Sequence, residues 1–384
     1  MKAQKAEPLG PYHLTIEQGL IGGIADPNPA ALCEDTPRDY FEPDRPNRHY
    51  CEQKQHEYRK RNGSIGHVVR PARQVDPKDL CWNFGLFCAR PLMLTHEFVD
   101  VHDIRLQCLT AGQGKLMLFL HGFPELGYAW KEQLAEFGKD YHVVAPDLRG
   151  YNLSSRPAEP EQYQMKHLVE DIRGLIAHYT AEKCVLVAHD WGGAVAWGVA
   201  VAHPDLLEKL VIIDSPHPAV FQREMRHNPA QQQASQYMLL LRSAEAEQRV
   251  AANGFALLRE QFLGDRLWKE LFTEDDRQAF LQAWAQPGAL RGALNYYRAG
   301  RLVPPEETGR PVVEVNRDLS MYVVRVPTLV IWGERDKYLL TGNLEGLEQF
   351  VPALTIKRVP DGSHWVIHEQ QQVINQLIRD FVEQ

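Results

Sequence analysis

The stretch Val187-Ala188-His189-Asp190-Trp191-Gly192-Gly193 decides how the rest of this chain is read. An apolar run, Cys184 to Ala188, leads into it, and Gly192-Gly193-Ala194 leads out. That pattern predicts a buried strand, a sharp turn and a helix, with the Asp190 side chain thrust out at the tip. Small residues are needed on both sides because the turn is strained and the flanking backbones approach closely. A carboxylate at the tip restricts the chemistry. Attack on an ester carbonyl would give a mixed anhydride, an unhelpful intermediate. Attack on an sp3 carbon gives an ordinary alkyl ester, which water can later hydrolyse. The stretch therefore points to displacement at carbon.

The 384 residues allow one large α/β core plus an inserted domain. Apolar residues make up 44%, which argues against global disorder. The net charge of −8 argues against nucleic acid as a general partner. Cys33, Cys51, Cys81, Cys88, Cys108 and Cys184 form no CxxC pair and no disulfide-dense spacing. Free thiols in a reducing compartment, and so a cytoplasmic location, are expected. The opening residues, Met1 to Leu14, lack the apolar core of a signal peptide. No stretch approaches the length of a membrane-spanning helix, and membrane association is not expected. The sequence leaves a homodimer open.

Outward from the elbow, the chain divides by composition. Residues 1–90 are rich in Pro and charge with weak periodicity, and read as an N-terminal extension, partly irregular. Within it, Tyr50–Arg61 reads as a short exposed helix whose Lys54, Arg59, Lys60 and Arg61 form a solvated face. His49, Cys51 and His56 lie close together, but no second ligand pair with zinc spacing follows, so no metal site is expected there. Leu80–Leu94 is more apolar and reads as an element packed on the core. From Thr95 the pattern becomes regular. Phe98–Val101 and Ile104–Thr110 alternate like a hairpin around His102-Asp103. Buried strands are predicted at Lys115–Leu120, Tyr141–Ala145, Cys184–Ala188, Leu210–Ile213, Pro327–Trp332 and Leu354–Val359. Helices are predicted at Met165–Tyr179, Gly192–Ala202 and Gln371–Val382.

The elbow resembles that of the α/β-hydrolases. The expected fold class is α/β: an α/β-hydrolase fold with a mostly parallel central sheet and an inserted helical cap domain. Residues 91–215 are the first part of the core, 216–321 the helical cap, and 322–384 the second part of the core.

In such a fold the general base belongs in the loop after the last strand, where Asp361-Gly362-Ser363-His364-Trp365 stands. His364 is the candidate; His368 follows a Trp-Val-Ile run and sits away from the loop tip. The acid that orients the base belongs after the preceding strand, in Gly333-Glu334-Arg335-Asp336. Asp336 is favoured and Glu334 is the runner-up. Donors for a developing oxyanion are expected from the backbone N–H groups of Phe123, in His121-Gly122-Phe123-Pro124, and of Trp191.

Taken in order, HGFPE (121–125), APDLRGY (145–151), AHDWGG (188–193), PHP (216–218), QPGAL (286–290), NYYR (295–298), GERD (333–336) and GSHW (362–365) resemble the epoxide hydrolase family of α/β-hydrolases. Each is weak alone; in this order they are highly specific. The resemblance implies conversion of epoxides to vicinal diols through a hydroxyalkyl ester on Asp190, with no cofactor or metal and an apolar epoxide as substrate. It also implies two cap tyrosines that donate to the leaving alkoxide. Tyr297 matches the second. Tyr237 is the best match for the first, with Tyr296 and Tyr322 as alternatives. A phenol with a pKa near ~10 can donate while staying protonated at neutral pH. Two departures stand out. Ala188 and Asn152 occupy positions where Gly is common, and Asn tolerates left-handed backbone better than most residues. The competing readings are a haloalkane dehalogenase, which shares an Asp elbow followed by Trp, and a non-catalytic binding protein on the same fold. The presence of all three triad candidates argues against the latter.

Overall fold

The computed structural model describes residues 93–305 and 318–384. The expected N-terminal extension, the Tyr50–Arg61 helix, the His49, Cys51 and His56 group and nearly all of Leu80–Leu94 lie outside the described residues. So do four of the six cysteines; Cys108 and Cys184 are buried free thiols.

Eight strands form one sheet: β1 (Thr95–Val101), β2 (Ile104–Ala111), β3 (Leu116–Leu120), β4 (His142–Pro146), β5 (Cys184–His189), β6 (Leu207–Ile213), β7 (Thr328–Gly333) and β8 (Leu354–Val359). Their spatial order is β1-β2-β4-β3-β5-β6-β7-β8. The hairpin turns at His102-Asp103, with Val101 opposite Ile104, and β2 runs antiparallel to β4. The remaining pairs are parallel. Differences from the sequence reading are confined to strand ends.

β3 and β5 are buried along their whole length. Leu118, Leu120, Leu186 and Ala188 join the core on one face of the sheet, and Met117, Phe119, Val185 and Val187 join the core on the other. A strand covered on both faces has no use for polar alternation, which is why these runs are apolar throughout. Each buried Val or Leu contributes roughly 1.5–3 kcal/mol. α1 (Lys131–Phe137) covers one face, and α2 (Met165–Tyr179) and α3 (Asp190–Ala202) cover the other.

Between β6 and β7 the described elements are helical. They are α4 (Pro218–His227), α5 (Pro229–Ala234), α6 (Tyr237–Arg242), α7 (Ala246–Ala256), α8 (Glu274–Ala285) and α9 (Ala289–Ala299). The middle of this block is less regular than its amphipathic pattern suggests. Asn253, Gly254 and Phe255 have φ of +52°, +62° and +63°, and Leu257–Gly264 and Arg266–Leu271 are wound as π-helix. Such underwound turns recur near functional sites. The block is pinned to the sheet's loops by Trp284 Nε1–H donating to Pro124 O (2.7 Å), Lys131 Nζ on Asp276 Oδ1 (2.5 Å) and Trp365 Nε1–H on Phe262 O (2.9 Å). Trp284 is buried and stacks on Trp268 at 5.7 Å. Trp284→Ala should therefore cost about 3–5 kcal/mol in denaturant unfolding, through the cavity and the lost bond together.

After β8 come α10 (Val366–Glu369) and α11 (Gln371–Val382). Among the described residues no helix is long and apolar enough to cross a membrane.

Candidate active site

β5 ends at His189, and Asp190 opens α3 with φ +50°. That left-handed backbone is the strain expected at the tip of the elbow, and Asp accepts it better than most side chains. Asn152 adopts a similar φ of +41° in its loop. The loop of residues 121–125 runs directly over the tip. A Cβ on Gly122 would lie 2.3 Å from both Cβ and Oδ1 of Asp190, so this approach requires glycine. The closeness lets the Phe123 N–H donate to Asp190 Oδ1 at 2.7 Å. Trp191 occupies the first turn of α3, where backbone N–H groups have no intrahelical acceptor.

The other Asp190 oxygen, Oδ2, faces His364 Nε2 at 3.6 Å, and His364 Nδ1 lies 2.7 Å from Asp336 Oδ2. Asp336 is buried, and its Oδ1 accepts the N–H groups of Tyr338 (2.7 Å) and Leu339 (3.0 Å). The structure thus brings Asp190, His364 and Asp336 together in one line. Glu334 is instead exposed and pairs with Arg358 at 3.3 Å. Burial works to raise the Asp190 carboxyl, but His364 and the Phe123 N–H outweigh it and hold it below its ordinary value. Burial works to lower the His364 imidazole. The flanking Asp336 and Asp190 carboxylates outweigh that and hold it well above its ordinary value.

Tyr297 packs edge-on against Phe123 and Trp191, both at 5.2 Å between ring centroids, and so closes over the elbow. Tyr237 lies 6.1 Å from Tyr297, with its ring against Phe262 and Tyr338. Burial pushes both phenols well above their ordinary pKa. Asp190 and the neighbouring tyrosine add to this at Tyr297, and Asp190 and Tyr338 add at Tyr237. The two alternatives are engaged elsewhere. The Tyr296 hydroxyl donates to Arg149 O at 2.9 Å, and Tyr322 sits beside His217, whose Nε2 meets the Tyr322 carbonyl at 2.9 Å.

Several neighbours carried no sequence signal of their own. Tyr338 stands 5.4 Å from the His364 ring and stacks on Phe262. Its hydroxyl reaches the carbonyls of Gln261 (2.9 Å) and Phe262 (3.0 Å), tying the Asp336 loop to the π-wound stretch. Behind the triad, Glu125 meets His368 Nε2 (2.6 Å) and His189 Nδ1 (3.1 Å), and His189 Nε2 meets the His364 carbonyl (2.8 Å). Glu125 and His189 do fall inside quoted motifs, HGFPE and AHDWGG, which was the available clue. A cleft beside the site has Phe123, Tyr151, Leu258 and Trp284 among its apolar lining and Glu125 and Asn152 among its polar lining. Among the described residues, no group of three or more His, Cys, Asp or Glu is arranged to hold a metal ion.

Comparisons with known proteins bear on the fold and the family. The alpha/beta hydrolase fold family matches residues 115–371. Epoxide hydrolase 4 of Mus musculus is 36% identical over 307 residues, covering 77% of this chain and 81% of that protein. The AB hydrolase superfamily protein YfhM of Bacillus subtilis is 38% identical over 74% of this chain and 97% of its own length. A crystal structure of an epoxide hydrolase from Bacillus megaterium, in complex with an inhibitor, superposes with a TM-score of 0.69 at 36% identity. It covers 75% of this chain and all of that one. On this combination of sequence, fold and matched relatives, the chain belongs to the epoxide hydrolase family of the α/β-hydrolase superfamily.

Proposed function

We propose that this chain hydrolyses apolar epoxides to vicinal diols through an ester formed on Asp190. One observation carries the reading. A carboxylate stands at the elbow with Oδ1 held by the Phe123 N–H and Oδ2 turned to His364 Nε2, under the paired rings of Tyr237 and Tyr297.

In this reading the two hydroxyls donate to the epoxide oxygen. Asp190 Oδ2 attacks a ring carbon, the ring C–O bond breaks, and a tyrosine proton passes to the alkoxide. The raised phenol pKa values keep that proton available until basicity develops on oxygen. Esterification removes the negative charge of Asp190, one of the two that favour protonated His364. The imidazole then gives up its proton, which restores the tyrosine hydroxyl, and takes one from water. The resulting hydroxide attacks the ester carbonyl carbon, and charge collects on Oδ1 against the N–H groups of Phe123 and Trp191. Cleavage of the acyl C–O bond expels the diol oxygen, which takes the proton of the newly formed carboxyl, so that the diol leaves and the Asp190 carboxylate and protonated His364 are restored. The helical block of 216–321 acts as the cap that supplies the tyrosines and excludes water. A reducing, cytoplasmic setting is part of the proposal, supported by the buried thiols of Cys108 and Cys184.

The dehalogenase alternative needs N–H donors aimed at a halide. Here the Trp191 ring packs edge-on against Tyr297 at 5.2 Å, so a phenol stands beside it over the elbow, which supports an oxygen leaving group. Diol formation from a styrene-type epoxide, set against bromide release from a bromoalkane, separates the two. Diol without bromide is expected; bromide without diol would reverse the assignment. Tyr297→Phe should lower kcat for the epoxide by about 10²-fold or more, because it removes a proton donor from the transition state. Initial-rate diol assays of Tyr297→Phe and Tyr237→Phe check this, with Tyr296→Phe as a comparison that should stay close to wild type in rate.

A further inference from the structure

Asp214 takes no part in the steps above, yet it stands at the root of the triad. It follows β6, is fully buried, and has φ +41°. Its N–H donates to Ile331 O (3.1 Å), and its Oδ1 accepts the Gly333 N–H (2.7 Å). β6 and β7 are adjacent, with Ile213 opposite Ile331, so the carboxyl sits where the turn to Asp336 begins. The charged groups that bear on it are Asp336, His364 and, on α10, Glu369. Its second oxygen, Oδ2, is shielded from solvent and accepts no hydrogen bond.

A buried carboxylate oxygen with no donor is costly. The same oxygen carrying a proton becomes a donor and needs only an acceptor. Asp336 can serve, since it already accepts from His364, Tyr338 and Leu339, and a carboxylate has about four acceptor sites. Two carboxyls in one dry site do not both ionise.

We propose that Asp214 is a positioning residue of the triad: a neutral carboxyl that donates its proton to Asp336, so that the pair presents one negative charge to His364. Burial first, and then Asp336, hold its pKa well above the ordinary carboxyl value, while His364 and the Gly333 N–H oppose this. When Asp336 is neutralised, the charge passes to Asp214, which gives up its proton and supports His364 from behind. The proposal rests on the roles given above to His364 and Asp336.

Two measurements test it. In single turnovers, Asp336→Asn should retain a slow ester hydrolysis that rises with pH as Asp214 ionises. Asp214→Asn/Asp336→Asn should be at least about 10-fold slower and keep only the rise that His364 itself gives. Equal rates and pH profiles in the two variants would overturn the proposal. The second measurement needs neither turnover nor a folded position-336 variant. Infrared spectra of the full chain labelled with 13C-aspartate should show a protonated carboxyl C=O band at neutral pH that is missing from Asp214→Asn. Absence of the band in the wild type would overturn the proposal. Failure of the epoxide reading is distinct, since it would appear as no diol from any epoxide with the band intact.

Discussion

Replacing Asp190 by Ala abolishes diol formation, by more than about 10⁴-fold in kcat, because the variant cannot form the ester through which the reaction passes. Nothing nearby can take over the attack. The second carboxylate at His364, Asp336, sits at Nδ1 on the far side of the imidazole and is held there by the N–H groups of Tyr338 and Leu339. The variant should still fold. Ala at φ +50° costs about 1–2 kcal/mol, offset by relief from burying a charge. Intact-protein mass spectrometry with excess epoxide should show no adduct, and the thermal unfolding temperature should stay close to wild type. Substantial turnover by a folded Asp190→Ala protein would rule out the ester route.

His364→Gln gives the complementary result. Alkylation of Asp190 persists, but ester hydrolysis falls by about 10³-fold or more, so the enzyme releases at most one equivalent of product and accumulates as an adduct heavier by the mass of the epoxide. The two effects separate because His364 is the base of the second step only. The pH dependence follows from the same electrostatics. In the resting enzyme Asp336 and Asp190 overcome burial and hold His364 well above its ordinary value, which favours imidazolium. That form stabilises the attacking carboxylate but cannot accept a proton. Once Asp190 is an ester, one of the two supporting charges is gone and the imidazole deprotonates more readily. The rate of ester hydrolysis in wild type should therefore rise with pH through an apparent pKa lower than that of the resting enzyme. The stabilisation that imidazolium gives the resting fold runs the other way: it is fully present below about pH 6.5 and lost as pH rises through the raised folded value. Stopped-flow ester decay against pH checks the first statement, and denaturant unfolding against pH the second.

The central strands were legible because parallel strands buried on two faces are written as unbroken apolar runs. Met117–Leu120 and Val185–Ala188 are examples. The triad candidates were legible for a different reason: each follows a strand in fixed chain order, so position alone separates His364 from His368 and narrows the acid to Asp336 or Glu334. Depth in the loop already favoured Asp336, and the fold adds the physical reason: it buries Asp336 against two backbone N–H groups and leaves Glu334 at the surface with Arg358. Tyr237, Tyr296, Tyr297 and Tyr322 could not be ranked from helical periodicity, because what distinguishes them is where each ring stands: Tyr297 and Tyr237 are paired over the elbow, Tyr296 is bonded to the Arg149 carbonyl, and Tyr322 lies beside His217. The π-wound stretch around Phe262 was invisible for a similar reason. Its carbonyls are satisfied by Tyr338 and Trp365 from loops far away in sequence, and no local pattern records that. Asp214 shows no motif at all, and its interest lies in what its Oδ2 lacks.

A single turnover in heavy-oxygen water, with enzyme in excess over epoxide, tests the account most directly. The ester route predicts that the first diol contains no solvent label and that one heavy oxygen appears in the peptide carrying Asp190, emerging in diol only on later turnovers. Solvent label in the first diol, with none on Asp190, would contradict it.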